Sequence, residues 1–131
     1  MKYQVHIGED GFFQELARSK DVDFGQLSIL GVNPGQVRGG HYHTRKREWF
    51  CPIKGSGFLY LFNKNTEEKR IITLDGFKDK QFYVVEPFEV HAVVNPDRMV
   101  DLEVLIIISE PFNDLDSDTY KWEIEISPLD I

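Results

Sequence analysis

The stretch GQVRGGHYHTRKREWFCPIKG, residues 35–55, contains the pattern that decides the fold. His41 and His43 stand two positions apart, and side chains at positions i and i+2 of a β-strand point to the same face. A strand here therefore directs two imidazoles into one space. Glu48 begins the next strand pattern, and a turn through residues 44–47 would bring its carboxylate back beside them. The stretch predicts two strands around a cluster of polar side chains.

Two further histidines lie outside this stretch: His91, at the start of a later strand pattern, and His6, alone near the beginning of the chain. Two or three neutral imidazoles with one carboxylate suit Zn, Fe, Mn, Ni or Co and leave positions open for water or substrate. A histidine pair by itself is more often a surface pair or a buried polar cluster than a metal site. The candidate ligands of a divalent metal, with zinc the favoured ion, are His41, His43, Glu48 and His91.

Short apolar or alternating runs, separated by turn-forming residues, fill most of the chain. Asn33-Pro34-Gly35 and Asn95-Pro96-Asp97 are such breaks, because proline presets φ while glycine, asparagine and aspartate tolerate a positive φ. The predicted strands are 26–32, 39–43, 48–53, 57–63, 69–73, 81–85, 90–94, 102–109 and 120–126. Short strands at this spacing, without a long helix, predict an all-β protein closed or nearly closed into an antiparallel β-barrel.

The size and charge of the chain limit its class. With 131 residues, 41% of them hydrophobic, we expect a single domain over residues 1–131. A net charge of −7, from 22 acidic and 15 basic residues, argues against a nucleic-acid partner or an anionic membrane surface. The sequence has no membrane-spanning run of ~20 apolar residues and no signal-peptide pattern, so we expect a cytoplasmic protein. The single cysteine, Cys51, excludes an internal disulfide and is expected in the core.

The run LEVLIIIS, residues 102–109, is nearly all apolar, as expected of a strand that is covered on both faces. Near the N-terminus, Phe12, Phe13 and Leu16 offer further apolar surface that a small barrel would leave uncovered. We therefore expect a homodimer. Burial of the strand wholly within one chain is equally consistent with the run.

Residues 35–55 match the first motif of the cupin superfamily at every fixed position and gap. The fixed positions are Gly35, His41, His43, Glu48 and Gly55. Downstream, PFEVHAVVN, residues 87–95, resembles the second cupin motif. The resemblance implies a jelly-roll type cupin barrel in which His91 is the fourth metal ligand. Phe88 replaces the usual glycine of the second motif, so we expect the turn there to differ.

Two segments narrow the resemblance: RGGHYH, residues 38–43, and SEPFNDLDSDTY, residues 109–120. Together they resemble the C-terminal cupin domain of bifunctional capsular polysaccharide enzymes, over roughly residues 25–126. In that family the cupin domain epimerises C3 of a UDP-linked 4-keto-6-deoxy sugar, and a separate reductase domain completes the reaction. The resemblance implies a nucleotide-sugar epimerase or isomerase of polysaccharide biosynthesis, and 131 residues leave no room for the reductase.

The Arg-Gly-x-His pattern is more distantly similar to the 3,5-epimerases of the rhamnose pathway and to the 3,4-ketoisomerases that act on dTDP-sugars. That similarity implies that Arg38 holds a phosphate or ketone oxygen of the nucleotide sugar and that His41 is a base. An imidazole nitrogen bound to a metal cannot also accept a proton, so the two resemblances give His41 competing roles. The candidate catalytic residues are His41, His43 and Arg38. If His41 binds metal, a tyrosine or another group would be the base.

Residues beside the motif are candidates for substrate contact. Strand alternation places Phe50 on the side of Glu48, where it would line the pocket, with Trp49 outside. The basic turn 45–47 would meet a diphosphate or simply face solvent. The candidate acids are Tyr60, Tyr83 and Tyr120. The alternatives are another metal-dependent cupin enzyme, such as a dioxygenase or a sugar-phosphate isomerase, and a non-catalytic sugar-binding cupin.

Overall fold

A computed structural model of the chain describes residues 2–124 and 126. Within these residues the regular structure consists of β-strands. The strands are β1 (Val5–Gly8), β2 (Gly11–Gln14), β3 (Gln26–Val32), β4 (Val37–Tyr42), β5 (Glu48–Lys54), β6 (Ser56–Asn63), β7 (Lys69–Asp75), β8 (Tyr83–Val85), β9 (Glu89–Val94), β10 (Leu102–Ile108) and β11 (Tyr120–Lys121). Every strand pair is antiparallel, which confirms the predicted all-β class.

The strands form a hairpin, β1-β2, and two larger sheets with the orders β3-β10-β5-β8 and β11-β4-β9-β6-β7. Both larger sheets contribute side chains to one buried core, including Phe50 and Val104 from the first and Leu59 and Leu61 from the second. In β6 the leucines alternate with half-buried Tyr60, as expected of a strand with one face on the core. The two sheets therefore form the walls of an antiparallel barrel.

The outer face of the four-stranded sheet carries a second, smaller apolar cluster. Its buried members are Trp49, Cys51, Phe82 and Ile107. Leu16 and Val22, from the segment between β2 and β3, pack against it. Strand β10 is thus covered on both faces within one chain: Val104 and Ile106 face the main core, and Ile107 faces the second cluster.

The structure differs from the sequence prediction at both ends of the chain. Hairpin β1-β2 was not predicted, because its residues are largely exposed and show no alternation of buried and exposed positions. Strand β11 ends at Lys121, whereas the prediction extended to residue 126. Of the predicted range, residue 125 lies outside the described residues, as do residues 1 and 127–131 of the predicted single domain.

No helix in the described part of the chain is long and apolar enough to cross a membrane.

Candidate metal centre

His41 and His91 lie directly opposite each other on the paired strands β4 and β9. Their ring centroids are 4.6 Å apart. On the other side of β9, His91 is paired with Leu61, which is fully buried in the core, so the imidazoles point inward between the two sheets. His43 follows on the same face of the chain, with its ring centroid 5.3 Å from that of His41 and 5.4 Å from that of His91. Three of the four histidines therefore share one space.

Glu48 completes the cluster from the opposite sheet, as the first residue of β5. Its Oε1 atom accepts a hydrogen bond from Nε2 of His43 and lies 3.2 Å from Nε2 of His91. Each of the four residues offers one donor atom, and these atoms all lie within 4.8 Å of one another. The four residues that the sequence nominated are thus brought together in a group that could hold a metal ion.

A β-bulge brings Arg38 to the same face as His41. Arg38 is paired with Val93, a core residue, while the register of β4 on β9 shifts between Gly39 and His41. Gly39 and Gly40 both have a positive φ, 119° and 85°. A bulge inserts an extra residue, so positions three apart, which normally alternate, point to the same side. The bulge at the two glycines therefore places residue 38 and His41 on the same face of the sheet.

Arg38 itself is exposed, and none of the described carboxylates forms an ion pair with it. Phe50 is only 2% exposed, and its ring centroid lies 5.7 Å from that of His91. Phe50 thus supports the cluster from the core side, and direct contact with a substrate stays a prediction. Trp49 points to the other side of the sheet, as alternation predicts.

Hydrogen bonds orient two of the imidazoles. His43 donates from Nδ1 to the carbonyl oxygen of Asp118 at 2.7 Å, and His91 donates from Nδ1 to the carbonyl oxygen of Glu89 at 3.0 Å. Both rings therefore direct Nε2 at Glu48, which is the arrangement of metal-binding histidines. Nε2 of His91 is buried and has no hydrogen-bond partner among the described residues. A buried polar atom without a partner is costly, and a metal ion would satisfy it, so the donor set fits a divalent ion.

The cluster shifts the pKa values of its members in different directions. Burial, reinforced by His91 and His43 nearby, lowers the pKa of His41 to about 4. Burial has the largest single effect on His43 and disfavours its charged form, but the hydrogen bond and charge of Glu48 and the contact with Asp118 together outweigh it and raise the pKa of His43. For Glu48, burial is opposed by the hydrogen bond from His43 and by the close approach of His91, which together hold the pKa of Glu48 well below the usual range. Nε2 of His43 donates to the Glu48 carboxylate, and a metal ion bound there would displace that proton.

The structure removes two of the tyrosines from the list of candidate acids. Tyr60 is paired with Ala92, and Tyr120 with Tyr42, so both lie on the face of their sheet opposite to the histidines. Tyr83 faces the core, and its hydroxyl donates to Asp79 at 2.6 Å. Burial and that hydrogen bond raise the pKa of Tyr83.

The basic turn is engaged by neighbouring groups. Arg45 donates to Glu110 at 2.8 Å and Arg47 to Glu86 at 2.7 Å. Lys46 is only 4% exposed. The side chains of Arg45 and Arg47 are thus partly exposed but paired with acidic residues, so the turn does not present an unpaired cluster of cations to a diphosphate.

Phe88 stands where the second motif has glycine, and the sequence led us to expect a different turn. Phe88 instead has a φ of 68°, the left-handed conformation that favours glycine. Its N–H donates to the carbonyl oxygen of His43 at 2.7 Å. His91 still points into the cluster, so the replacement adds backbone strain without redirecting the strand.

Asp118 is a residue of this site that the sequence analysis did not single out. It is 3% exposed and contacts His43 through its carbonyl oxygen. The only signal was the SDTY segment that ends the resemblance at residues 117–120. Nothing in the spacing of that segment indicates which of its residues reaches the histidines.

Among curated proteins, UDP-2-acetamido-2,6-beta-L-arabino-hexul-4-ose reductase of Pseudomonas aeruginosa is 34% identical over 120 residues. The match covers 92% of this chain and 31% of the relative, so the chain spans about a third of that relative's length. The solved structure of the capsular polysaccharide assembling protein CapF from Staphylococcus aureus is 25% identical, with a TM-score of 0.71. That match covers 78% of this chain and 27% of CapF.

The dTDP-6-deoxy-D-glucose-3,5-epimerase RmlC from Legionella pneumophila, solved in complex with dTDP-4-keto-L-rhamnose, has a TM-score of 0.77. It is 15% identical and the match covers 98% of this chain and 73% of the epimerase. This likeness confirms the predicted fold, a cupin-type antiparallel β-barrel. The family model described as polysaccharide biosynthesis C-terminal domain matches residues 6–120, and the chain belongs to that family.

Proposed function

We propose that the chain is a metal-dependent epimerase or isomerase of a nucleotide-linked 4-keto-6-deoxy sugar in polysaccharide biosynthesis. The observation that carries the proposal is the convergence of a three-histidine, one-glutamate cluster with exposed Arg38 on one inward face of the barrel. The family and the relatives named above support the substrate class, because their names refer to polysaccharide assembly or to nucleotide sugars.

The four side chains would hold a divalent ion, with zinc favoured and iron, manganese, nickel or cobalt also suited to the donors. When bound, the ion supplies a Lewis acid that polarises a ketone oxygen and makes the adjacent C–H bond more acidic. Arg38 would bind a phosphate or the ketone oxygen, because a guanidinium donates in a planar fork. Return of the proton to the opposite face of the same carbon gives an epimer. Delivery of the proton to the former carbonyl carbon of an enediol instead moves the ketone to the neighbouring carbon.

The pKa of His41, about 4, supports a ligand role over a base role. A general base works best when its pKa lies near the working pH, and a group with a pKa this low is a weak base at neutral pH. A neutral imidazole is, in contrast, the form that binds a metal. We therefore propose His41 as a ligand, which leaves the base to another group that the substrate brings into reach.

The test is solvent-deuterium exchange into a panel of UDP- and dTDP-linked 4-keto-6-deoxy sugars. The protein is purified without a histidine tag, and its metal content is measured first. We expect about one equivalent of divalent metal per chain and deuterium incorporation next to the ketone. Metal-loaded protein that incorporates no deuterium into any sugar of the panel would contradict the proposal.

Arg38→Ala separates substrate binding from chemistry. If the guanidinium holds a phosphate, KM rises and kcat is kept; if it acts on the ketone oxygen, kcat at saturating substrate falls. Arg98→Ala, which removes an exposed arginine from a distant loop, is the matched control and should change neither constant. Equal effects of the two substitutions would exclude a specific role for Arg38.

Two other functions share the first cupin motif. A dioxygenase or sugar-phosphate isomerase would retain the metal but give no exchange with nucleotide sugars, and bound redox-active iron would favour the first of these. A non-catalytic sugar-binding cupin would bind the nucleotide sugar without turnover. Isothermal titration of the same panel distinguishes these two outcomes.

We also propose that the chain forms a homodimer, with apolar side chains of β3 in the interface. Leu27 and Ile29 are 55% and 66% exposed on the outer face of the four-stranded sheet, beside the covered part of strand β10. Strand β3 is also an edge of its sheet, and a long apolar edge is normally covered. Phe12 and Phe13 add exposed apolar surface on the hairpin.

Sedimentation tests the dimer. Leu27→Glu with Ile29→Glu should convert the protein to a 15.3 kDa monomer, because a buried unpaired charge is costly at an interface. Ile71→Glu, at an equally exposed position on the other sheet, should leave the dimer intact. A wild-type protein that sediments as a monomer would refute the proposal.

The cytoplasmic location and the single domain over residues 1–131 stay predictions. Cell fractionation and limited proteolysis, respectively, would test them.

A further inference from the structure

The carboxylate of Asp118 is fully occupied by the turn between β4 and β5. One oxygen accepts from the backbone N–H of Thr44 at 2.9 Å and from the Thr44 hydroxyl at 2.6 Å. The other oxygen accepts from the N–H groups of Arg45 and Lys46 at 2.8 and 3.0 Å. A single side chain thus binds three successive backbone N–H groups of one turn.

This turn connects two of the candidate metal ligands. His43 precedes it, directly after β4 of the five-stranded sheet, and Glu48 follows it at the start of β5, in the four-stranded sheet. The shape of the turn therefore decides how far the two donor atoms lie apart. The carbonyl oxygen of Asp118 also accepts from Nδ1 of His43 at 2.7 Å, which fixes the plane of that ring and leaves Nε2 for the cluster.

The conformation of Asp118 is not one that a non-glycine residue adopts freely. Its φ is 46°, in the left-handed region. Strained residues of this kind persist where the surrounding contacts hold them, and they occur often at functional sites. Among the described residues, the side chain of Arg45 in the turn pairs with Glu110 and Asp116, which lie in the loop that contains Asp118. Asp118 is thus committed to the backbone of the turn and to His43.

We infer that Asp118 is a positioning residue, which holds His43 and Glu48 at the separation that metal binding requires. Its carboxylate sets the shape of the turn, and its carbonyl oxygen sets the ring of His43. This inference rests on the proposed metal site and adds the residue that organises it. The carboxylate of Asp118 is used by the turn and its carbonyl oxygen by His43, so its loss should change metal affinity through the ligands alone.

Co²⁺ binding to the full chain tests the inference, because the visible spectrum of Co²⁺ reports the ligand geometry directly. Asp118→Asn keeps the shape of the side chain but presents an NH₂ group to N–H donors. We expect the affinity for Co²⁺, measured by competition with a chelator, to fall by about 10- to 100-fold, with a changed spectrum. Asp116→Asn, a neutralised acid of the same loop, should stay within about threefold of wild type.

A purely structural role would lower the urea midpoint of Asp118→Asn but leave the Co²⁺ affinity and spectrum of the folded protein unchanged, and that result would overturn the inference. If Asp118→Asn does not fold, Thr44→Val, which removes only the hydroxyl bond, replaces it. A decrease of about fivefold in affinity, larger than that of Asp116→Asn, would then support the inference, and a change no larger than that of Asp116→Asn would overturn it. Wild-type protein that binds no Co²⁺ would show that the proposed metal site itself is wrong.

Discussion

Nε2 of His91 lies 3.2 Å from Oε1 of Glu48, buried and without a hydrogen-bond partner among the described residues. This atom is the donor that gains most from a bound cation. His91→Ala should therefore weaken Zn²⁺ binding by about 100-fold or more, measured by competition with a chelator. His6→Ala removes a histidine from an exposed strand of the hairpin and is the matched control. If both substitutions have the same effect, His91 is not a ligand.

Gly39→Ala should be much more disruptive than Gly35→Ala. Both glycines have a positive φ, so either alanine costs about 1–2 kcal/mol of backbone strain. A Cβ on Gly39 would also lie 2.7 Å from the carbonyl oxygen of His91, whereas a Cβ on Gly35 meets nothing within 4 Å. We expect the free energy of unfolding, from urea denaturation, to fall by about 2 kcal/mol more for Gly39→Ala. Equal losses would show that β4 and β9 are not so close at the bulge.

Phe88→Gly should be more stable than Phe88→Ala. Both substitutions remove the ring, but only glycine adopts a φ of 68° without strain. The expected difference in the free energy of unfolding is about 1 kcal/mol, measured on the metal-free proteins. A more stable alanine variant would mean that residue 88 does not have a left-handed conformation in solution.

The carboxylate of Asp118 should stabilise the protein at neutral pH and lose this contribution at acid pH. Burial opposes its charge, but hydrogen bonds from Thr44 and from the backbone of the turn hold the pKa of Asp118 well below the usual range. A carboxyl whose pKa is lower in the folded than in the unfolded state stabilises the fold above its unfolded pKa, about 3.9, and loses that contribution as pH falls. Asp118→Asn should be less stable than wild type by about 1–2 kcal/mol at pH 7.

The difference in the free energy of unfolding between wild type and Asp118→Asn should shrink progressively below about pH 4. Urea denaturation at a series of pH values measures it. A difference that is constant from neutral to acid pH would mean that the charge of Asp118 does not stabilise the turn.

The sequence was sufficient where a local rule determines the geometry. Strand β3 has the predicted bounds, and His41 and His43 share a face because strand alternation requires it. The spacing of the two cupin motifs predicted Glu48 and His91 as the other two members of the cluster. Local pattern and motif together therefore identified all four members of the cluster.

The sequence was insufficient where geometry departs from the regular pattern. Strand alternation alone would place Arg38 and His41 on opposite faces, and only the bulge at Gly39 brings them together. Asp118 could not be found for another reason: its contacts are made with residues 72–75 positions away, and no local periodicity reports such a distance. Hairpin β1-β2 consists of two four-residue strands whose apolar side chains, such as Ile7 and Phe12, are exposed, so it lacks the longer pattern that predicted the other strands.

The contact between Asp118 and the turn also sets the order in which the protein can be completed during synthesis. Thr44 is synthesised 74 residues before its partner, so strands β3 to β10, which form most of both walls, can be assembled while the turn is still without its carboxylate. Contacts of such long sequence separation form late, because the intervening chain must be ordered first. The proposed cation site therefore takes its final geometry only after residue 118 has joined the barrel.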